Sequence, residues 1–207
     1  MPNKIRNKAD RIITAIQADA KPDKGALAAL RTSKSITDPG ATVVWPYILA
    51  NLDEQDLSRT GTPTREEIAV YTAIRLYAIY QQGVEQLLYT PYYKRNDGDK
   101  TLTLFQAMAG IQNAGDDSTA LRRQITQVLA TTNFETTINS LTRLVGVLKG
   151  KKTGAVVDFA QLAEDIFWYQ TGYKSANKVR LQWGQDFYRS FDQLEKMTNQ
   201  EENNNAK

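Results

Sequence analysis

Apolar residues recur at helical spacing along the whole chain, and this pattern constrains the fold more than any other feature of the sequence. Near the C-terminal end they follow one another in steps of four residues, at Val179, Trp183, Phe187 and Phe191. Such steps place side chains on one face of an α-helix. No run of alternating apolar and polar residues is long enough to indicate a β-sheet. We therefore predict an all-α protein.

Capping and turn residues divide this pattern into helices. We predict a first helix over residues 3–19 and a short second helix after Pro22. Thr64, followed three residues later by Glu67, forms a capping-box signature for a helix that ends at Gly83. Apolar residues surround most of that helix, so we expect it to be a central buried helix. Apolar spacing marks further helices within residues 45–52, 102–109, 121–129, 134–148 and 159–167.

A polar segment interrupts the helical pattern near the middle of the chain. Residues 89–100, YTPYYKRNDGDK, contain a proline and a glycine and are typical of a long loop. We predict that this loop joins two helical bundles, an N-terminal one at residues 1–88 and a C-terminal one at residues 101–197. Residues 198–207, TNQEENNNAK, are almost entirely polar, so we expect a disordered tail there.

The sequence contains neither cysteine nor histidine. The lack of cysteine excludes disulfides, thiolate nucleophiles and cysteine-ligated metal sites. The lack of histidine excludes serine–histidine triads and most zinc hydrolase sites, because histidine is the usual general base near neutral pH. Of the common catalytic chemistries, carboxylate–magnesium and lysine chemistry remain.

Two internal pairs of carboxylates are candidates for a magnesium site, Glu66-Glu67 and Glu164-Asp165. The first pair lies in the first turn of its helix, where acidic side chains favour the helix dipole. The second pair lacks the matching E-x-x-D motif that all-helical nucleotide pyrophosphohydrolases use. We keep a carboxylate-dependent phosphohydrolase as an alternative that would require Glu66 or Glu164. We predict no catalytic residue, no metal ligand and no cofactor.

The N-terminal segment, MPNKIRNKADRIITAIQ, is polar and basic. It contains no uninterrupted apolar stretch and therefore resembles neither a signal peptide nor a membrane anchor. We expect a cytoplasmic location and no membrane contact.

Charge is distributed unevenly along the chain, although the formal net charge is +3. Residues 1–34 carry eight Lys/Arg against three Asp/Glu, and residues 113–157 carry six against three. Residues 35–70 are acidic, with two Lys/Arg against six Asp/Glu. Separate basic and acidic zones suit a chain that lies against a phosphate backbone and also docks onto protein subunits.

Basic residues of the second half are the first candidates for phosphate contacts. Arg122 and Arg123 lie beside the apolar stripe of their helix, and Arg143 lies roughly opposite that of the next, so we expect all three to face outward. Three lysines follow at the end of the second of these helices: Lys149, Lys151 and Lys152. Such side chains bind a phosphate backbone without reading a base. The alternative is an ordinary solvated helix face, with lysines that favour the dipole at a helix C-terminus.

Aromatic residues are a second kind of candidate, because aromatic rings stack on unpaired bases. Helical spacing instead assigns Phe167, Trp183 and Phe187 to the core. Tyr92 and Tyr93, which precede two basic residues in the central loop, are the better stacking candidates. The alternative is that this loop docks on its own protein.

Several sequence blocks follow one another along the chain. They are GALAALRTSK at residues 25–34, followed by a Trp-Pro segment, ALRRQITQVL at 120–129, LTRLVGVL at 141–148, and VVDFAQLAEDIFWYQ through NKVRLQWGQDFYR. Their succession in a helical chain of this size resembles the CasB-type small subunit of Cascade, the type I-E CRISPR surveillance complex. Each block is short, and their order carries the resemblance.

The resemblance implies a non-catalytic role in antiviral defence. In that family, two small subunits stack along the inner face of Cascade. Their basic residues contact the backbones of the guide RNA–target DNA heteroduplex and of the displaced DNA strand, which stabilises the R-loop while base pairing supplies specificity. The implied partners are other Cascade subunits, a second copy of the chain, guide RNA, and the target and displaced DNA strands.

The matching blocks also imply which residues make these contacts. The family's basic contacts would fall on Arg31 or Lys34, on Arg122 and Arg123, on Arg143, and on Lys174, Lys178 or Arg180. Charge alone adds Lys94, Arg95, Lys149, Lys151 and Lys152. The alternative function is a helical protein–protein interaction module, which would bind no nucleic acid even at low salt.

Overall fold

The computed structural model describes residues 4–18, 21–96, 98–113 and 118–205, with side chains described in these ranges except at 112, 113, 118 and beyond 190. This part of the chain is mostly helical, as the sequence predicts. Its α-helices are α1 (Lys4–Gln17), α2 (Lys24–Thr32), α3 (Trp45–Leu49), α4 (Arg65–Tyr80), α5 (Leu104–Asn113), α6 (Ser118–Ala130), α7 (Phe134–Gly150), α8 (Phe159–Gln170) and α9 (Tyr173–Asn205). None of the described helices is long and apolar enough to cross a lipid bilayer.

Two short strands accompany the helices, β1 (Thr101–Leu102) and β2 (Val156–Val157). They pair in parallel, with Thr101 opposite Val156 and Leu102 opposite Val157. The pairing joins the start of the segment after the central loop to the start of α8. Strands of two residues are too short to show the alternation that predicts a sheet, so the sequence does not predict them.

Side-chain caps fix where the helices start. The hydroxyl of Thr64 accepts the N–H of Glu67 at 3.1 Å, and the carboxylate of Glu67 accepts the N–H of Thr64 at 2.7 Å. This confirms the predicted capping box of α4. The side chain of Asp158 accepts the N–H of Gln161 at 2.8 Å and so caps α8. α4 ends at Tyr80, a turn before the position that the sequence suggests, and Gly83 follows with φ of 79°.

α4 is the central helix, as predicted, because its side chains are buried around most of its circumference. It packs against α1, α2, α7 and α8. The ring of Phe159, at the start of α8, lies 5.9 Å from the ring of Tyr77 and 5.8 Å from that of Tyr80, centre to centre. The core of the molecule is therefore densest between α4 and α8.

α8 connects the two halves of the chain. It packs against α1 and α4 from the N-terminal half and against α9 from the C-terminal half. Buried apolar residues of both halves form one continuous core cluster. The structure does not show two separate bundles, since α8 buries residues against both sets of helices. The domain division at residues 89–100 stays a prediction.

An aromatic layer holds α5, α8 and α9 together. The indole of Trp183 is stacked between Phe105 at 4.9 Å and Tyr169 at 5.8 Å, centre to centre. Its N–H donates to Asp165 at 2.8 Å, and desolvation raises the pKa of this carboxyl to about 6. Phe187 is also buried. The prediction that Trp183 and Phe187 belong to the core is therefore confirmed.

The backbone of α9 continues as helix to Asn205, past residue 198, where the sequence predicts a disordered tail. Adding a residue to an existing helix is far easier than starting one, so polar residues can extend it. Side chains beyond Ser190, including Phe191, lie outside the described part of the chain. Disorder of the tail stays a prediction.

Candidate nucleic-acid interface

α6 and α7 present three of the predicted arginines to solvent. α6 buries Ile125, and α7 buries Leu144, on the faces that they turn to the core. Arg122, Arg123 and Arg143 are exposed, on other faces of these helices. Their predicted exposure is confirmed, and their contact with nucleic acid stays a prediction.

The lysines at the end of α7 line a cleft. Lys149 is half-buried, and its ammonium donates to Oε1 of Gln82 at 2.7 Å. Lys151 and Lys152 follow on the surface. Lys149 and Lys152 border a cleft of about 360 Å³, with the segment from Tyr80 to Leu88 on its other side. Lysines at this position have two equally good explanations. They favour the negative end of the α7 dipole, or they bind phosphate.

The predicted basic residues of α9 divide into two kinds. Lys174 and Lys178 are exposed. Arg180 is half-buried and donates to the backbone carbonyl of Thr131, just beyond α6, at 3.0 Å and to Oδ1 of Asn177 at 2.5 Å. Arg180 therefore satisfies a carbonyl at the end of α6, which is a structural role.

The 25–34 segment forms most of α2 and the turn that follows it. Arg31 is half-buried, whereas Lys34 is exposed. The backbone N–H of Lys34 donates to Asp38 at 2.6 Å, which fixes the turn. The side chain of Lys34 borders a groove that also contains Glu135 of α7, so this groove has mixed charge.

Arg95, one of the predicted contact residues, lies in an internal ion cluster, the Asp158 cluster, formed by Arg6, Tyr92, Arg95 and Asp158. Carboxylate Oδ2 of Asp158 lies 2.9 Å from Nη2 of Arg6 and 2.8 Å from Nη1 of Arg95. The hydroxyl of Tyr92 donates to Oδ1 of Asp158 at 2.9 Å and accepts a hydrogen bond from Nε of Arg6. The guanidinium of Arg95 lies 4.0 Å from the centre of the Tyr92 ring. Arg95 and Tyr92 are thus engaged within the protein.

Asp158 stays ionised in the Asp158 cluster although it is buried. Burial raises the pKa of Asp158, but hydrogen bonds and the positive charges of Arg95 and Arg6 outweigh burial and keep it below its ordinary value. No local sequence pattern predicts this cluster, because its members are far apart in the chain. Asp158 directly precedes the apolar positions of α8, and this local pattern indicates only a helix cap.

A second internal cluster, the Lys8 cluster, consists of Lys4, Lys8, Asp53 and Asp56. The ammonium of Lys8 lies 2.8 Å from Oδ2 of Asp53 and also pairs with Asp56, which is buried. Lys4 lies 3.0 Å from Oδ1 of Asp56. Desolvation lowers the pKa of Lys8, although Asp53 opposes this shift. Part of the basic N-terminal zone therefore neutralises part of the acidic zone inside the protein.

Three of the four carboxylates considered for a magnesium site, Glu67, Glu164 and Asp165, have other partners. Glu67 completes the capping box of α4. Glu164 accepts the backbone N–H of Arg6 at 3.0 Å and Nε1–H of Trp168 at 2.7 Å. Within the described ranges, no group of three or more acidic residues is arranged to hold a metal ion.

Comparison with known proteins identifies the family. The family model described as CRISPR-associated protein Cse2 matches residues 26–188, most of the chain. The chain belongs to the Cse2 family. Cse2, also called CasB, is the small, non-catalytic structural subunit of type I-E Cascade, so the predicted resemblance is confirmed. The matched range includes every predicted contact residue, whereas α1 precedes it.

The fold agrees with this membership. The crystal structure of CasB from Thermobifida fusca matches with a TM-score of 0.66 and 20% sequence identity. The match covers 89% of this chain and 97% of that chain. At this identity, the match shows a shared fold. A comparison with curated protein sequences finds no match.

Proposed function

We propose that this Cse2-family subunit stabilises the R-loop of Cascade by holding nucleic-acid backbones with exposed basic side chains. Its partners in this role are the guide RNA–target DNA heteroduplex, the displaced DNA strand, the other Cascade subunits and a second copy of the chain. The observation that carries the proposal is the outward position of Arg122, Arg123 and Arg143 in a member of this family.

The physical basis is the small free-energy difference between the R-loop and the closed duplex. The heteroduplex formed is about as stable as the DNA duplex that it replaces, so protein contacts to the backbones tip the balance. Arginine and lysine supply such contacts without sequence preference, because they bind phosphates. A non-catalytic subunit can therefore control how long the R-loop lasts.

The structure suggests how the predicted contact residues divide between this role and the fold. We assign phosphate contacts to exposed cations: Lys34, Lys94, Arg122, Arg123, Arg143, Lys151, Lys152, Lys174 and Lys178. Arg31 and Lys149 are half-buried, and we assign them a smaller contribution to phosphate binding. Arg95 and Arg180 support the fold through their internal hydrogen bonds.

The test replaces Arg122, Arg123 and Arg143 by alanine and measures R-loop dissociation in the reconstituted complex. We expect faster dissociation, because three phosphate contacts are lost. The matched control replaces Arg59, Arg65 and Lys100, three exposed cations to which we assign no contact, and removes the same charge. Equal dissociation rates for both triple variants would contradict the proposal.

A second candidate function, compatible with the first, is protein binding by a surface in the acidic segment of residues 35–70. Val43, Trp45 and Leu49 are 51%, 39% and 46% exposed, and they lie within the acidic segment of residues 35–70. Trp45 and Leu49 border the same pocket, and contiguous exposed apolar side chains are typical of protein contacts. We expect Leu49→Glu to weaken co-purification with the other Cascade subunits. Unchanged co-purification would contradict a role of this surface in binding them.

A further inference from the structure

The central loop is anchored to the protein at its base. Tyr89 is buried, and its hydroxyl donates to Asp10 of α1. The same carboxylate accepts the backbone N–H of Tyr92 at 3.1 Å, and the side chain of Tyr92 belongs to the Asp158 cluster. Residues 89–92 are therefore fixed against α1 and α8, which holds the next residues of the loop in place.

The residues that follow this anchor turn outward. Tyr93 is 67% exposed, in a short 3-10 turn over Tyr92–Lys94. The ammonium of Lys94 lies 5.4 Å from the centre of the Tyr93 ring. Both side chains border a pocket of about 160 Å³, together with Thr14 of α1 and Thr90. An exposed aromatic ring thus lies beside a cation and a partly polar pocket.

α1 brings a second cation to the same side. Arg11 is exposed and lies three residues before Thr14, so the two are neighbours on one face of the helix. Arg11 therefore lies about one helical turn from the pocket that Tyr93 and Lys94 border. The exposed ring of Tyr93 thus has one cation beside it, Lys94, and a second exposed cation on the neighbouring turn of α1.

We propose that Tyr93 stacks on an unpaired nucleobase while Lys94 and Arg11 bind the phosphates beside it. Exposed aromatics next to basic side chains are how proteins hold single strands without reading sequence. The anchored base of the loop fixes the ring in advance, which lowers the entropy that binding costs. This site rests on the proposed function and deepens it, because it requires a single strand, whereas the α6 and α7 arginines require phosphates alone.

The test compares two fluorescently labelled oligonucleotides, a single-stranded DNA and the same strand with abasic sites. Both carry the same phosphates, so a difference in affinity for the full chain reports contacts to bases. At low salt, we expect wild-type protein to bind the base-bearing strand about tenfold more tightly by fluorescence anisotropy. Tyr93→Ala removes this preference and Tyr93→Phe, which retains the ring, preserves it.

Tyr173→Ala is the matched control. Tyr173 is 70% exposed and adjoins Lys174, but it lies on a helix rather than on the anchored loop. We expect this variant to retain the tenfold preference. A preference that survives in Tyr93→Ala, or one that Tyr173→Ala removes equally, overturns the stacking site. So does the lack of any preference in the wild type.

The same experiment separates this site from the proposed function. Replacement of Arg122, Arg123 and Arg143 by alanine weakens binding of both strands if these residues hold phosphates. Suppose that the triple variant loses affinity while Tyr93→Ala keeps the preference for bases. This result would reject stacking by Tyr93 but support the phosphate contacts of the three arginines. Tyr93→Ala weakens binding of the base-bearing strand and leaves binding of double-stranded DNA unchanged.

Discussion

Three cations of α1 and the central loop, Arg6, Lys8 and Arg95, differ from the arginines of α6 and α7 in their exposure. Arg6 and Arg95 pair with the buried carboxylate of Asp158, and Lys8 pairs with buried Asp56 and with Asp53 at the surface. Arg122, Arg123 and Arg143 lie exposed on their helices. Similar residues therefore serve different ends, and a count of basic residues along the chain does not distinguish them. Charges that the fold uses are not available to a phosphate backbone.

Removal of Asp158 should have the largest effect on stability. Asp158→Ala leaves Arg6 and Arg95 without their shared carboxylate and removes the cap of α8. Breaking a buried ion pair by deleting one partner costs about 3–5 kcal/mol. We expect a loss near that size in the free energy of unfolding, measured by urea denaturation. A loss below about 1 kcal/mol would show that the cluster contributes little.

Lys8→Met should have a smaller effect, because Lys4 remains paired with Asp56. Methionine keeps the apolar stem but leaves the buried carboxylate of Asp56 with one cation fewer. We expect a loss of about 2 kcal/mol in the free energy of unfolding, below the cost of an uncompensated buried charge. Lys174→Ala, at an exposed position, is the control and should leave stability nearly unchanged.

The two buried carboxyls should respond to pH in opposite directions. The pKa of Asp158 is lowered, so its stabilisation exists above its unfolded pKa and is lost as pH falls through the folded value. The pKa of Asp165 is raised to about 6, so its stabilisation exists below its unfolded pKa and is lost as pH rises through about 6.

Asp165→Asn isolates the second effect, since asparagine keeps an acceptor for the N–H of Trp183. Between pH 4 and 7, wild-type protein should lose on the order of 1–3 kcal/mol of unfolding free energy relative to this variant. Denaturation curves at several pH values measure the difference. Parallel pH profiles for the two proteins would show that Asp165 titrates normally.

Arg123→Ala and Arg143→Ala should have the smallest effects on stability. Both side chains are exposed, and substitutions at such positions usually change the free energy of unfolding by less than about 0.5 kcal/mol. Thermal melts of the two variants, beside Arg95→Ala, would measure the contrast. A loss of thermal stability in Arg143→Ala as large as that in Arg95→Ala would contradict the distinction between exposed cations and cations engaged by the fold.

Much of the fold could be predicted because its signals are local. Helical spacing located the helices, and Thr64 with Glu67 marked the start of α4. The aromatic residues Trp183 and Phe187 were assigned to the core by the same spacing. Strands β1 and β2 could not be predicted, since two residues show no period.

The internal ion clusters could not be predicted because their partners are distant in sequence. Asp158 meets Arg6 and Arg95 across the core, and no local pattern connects them. The sequence therefore does not distinguish Arg95 and Arg180, which are half-buried, from exposed Arg123 and Arg143. Exposure of Arg122 and Arg143 was predictable, because position relative to an apolar stripe is a local property.

The salt dependence of target binding tests the central distinction most directly. Each phosphate contact contributes about 0.9 to the slope of log affinity against log salt concentration on duplex DNA. In the reconstituted complex, we expect the combined alanine variant of Arg122, Arg123 and Arg143 to lower this slope by about 2–3. Arg95→Ala should leave it unchanged. Equal slopes for wild-type and triple-variant complexes would contradict the claim that the outward cations, and not the internal ones, hold nucleic acid.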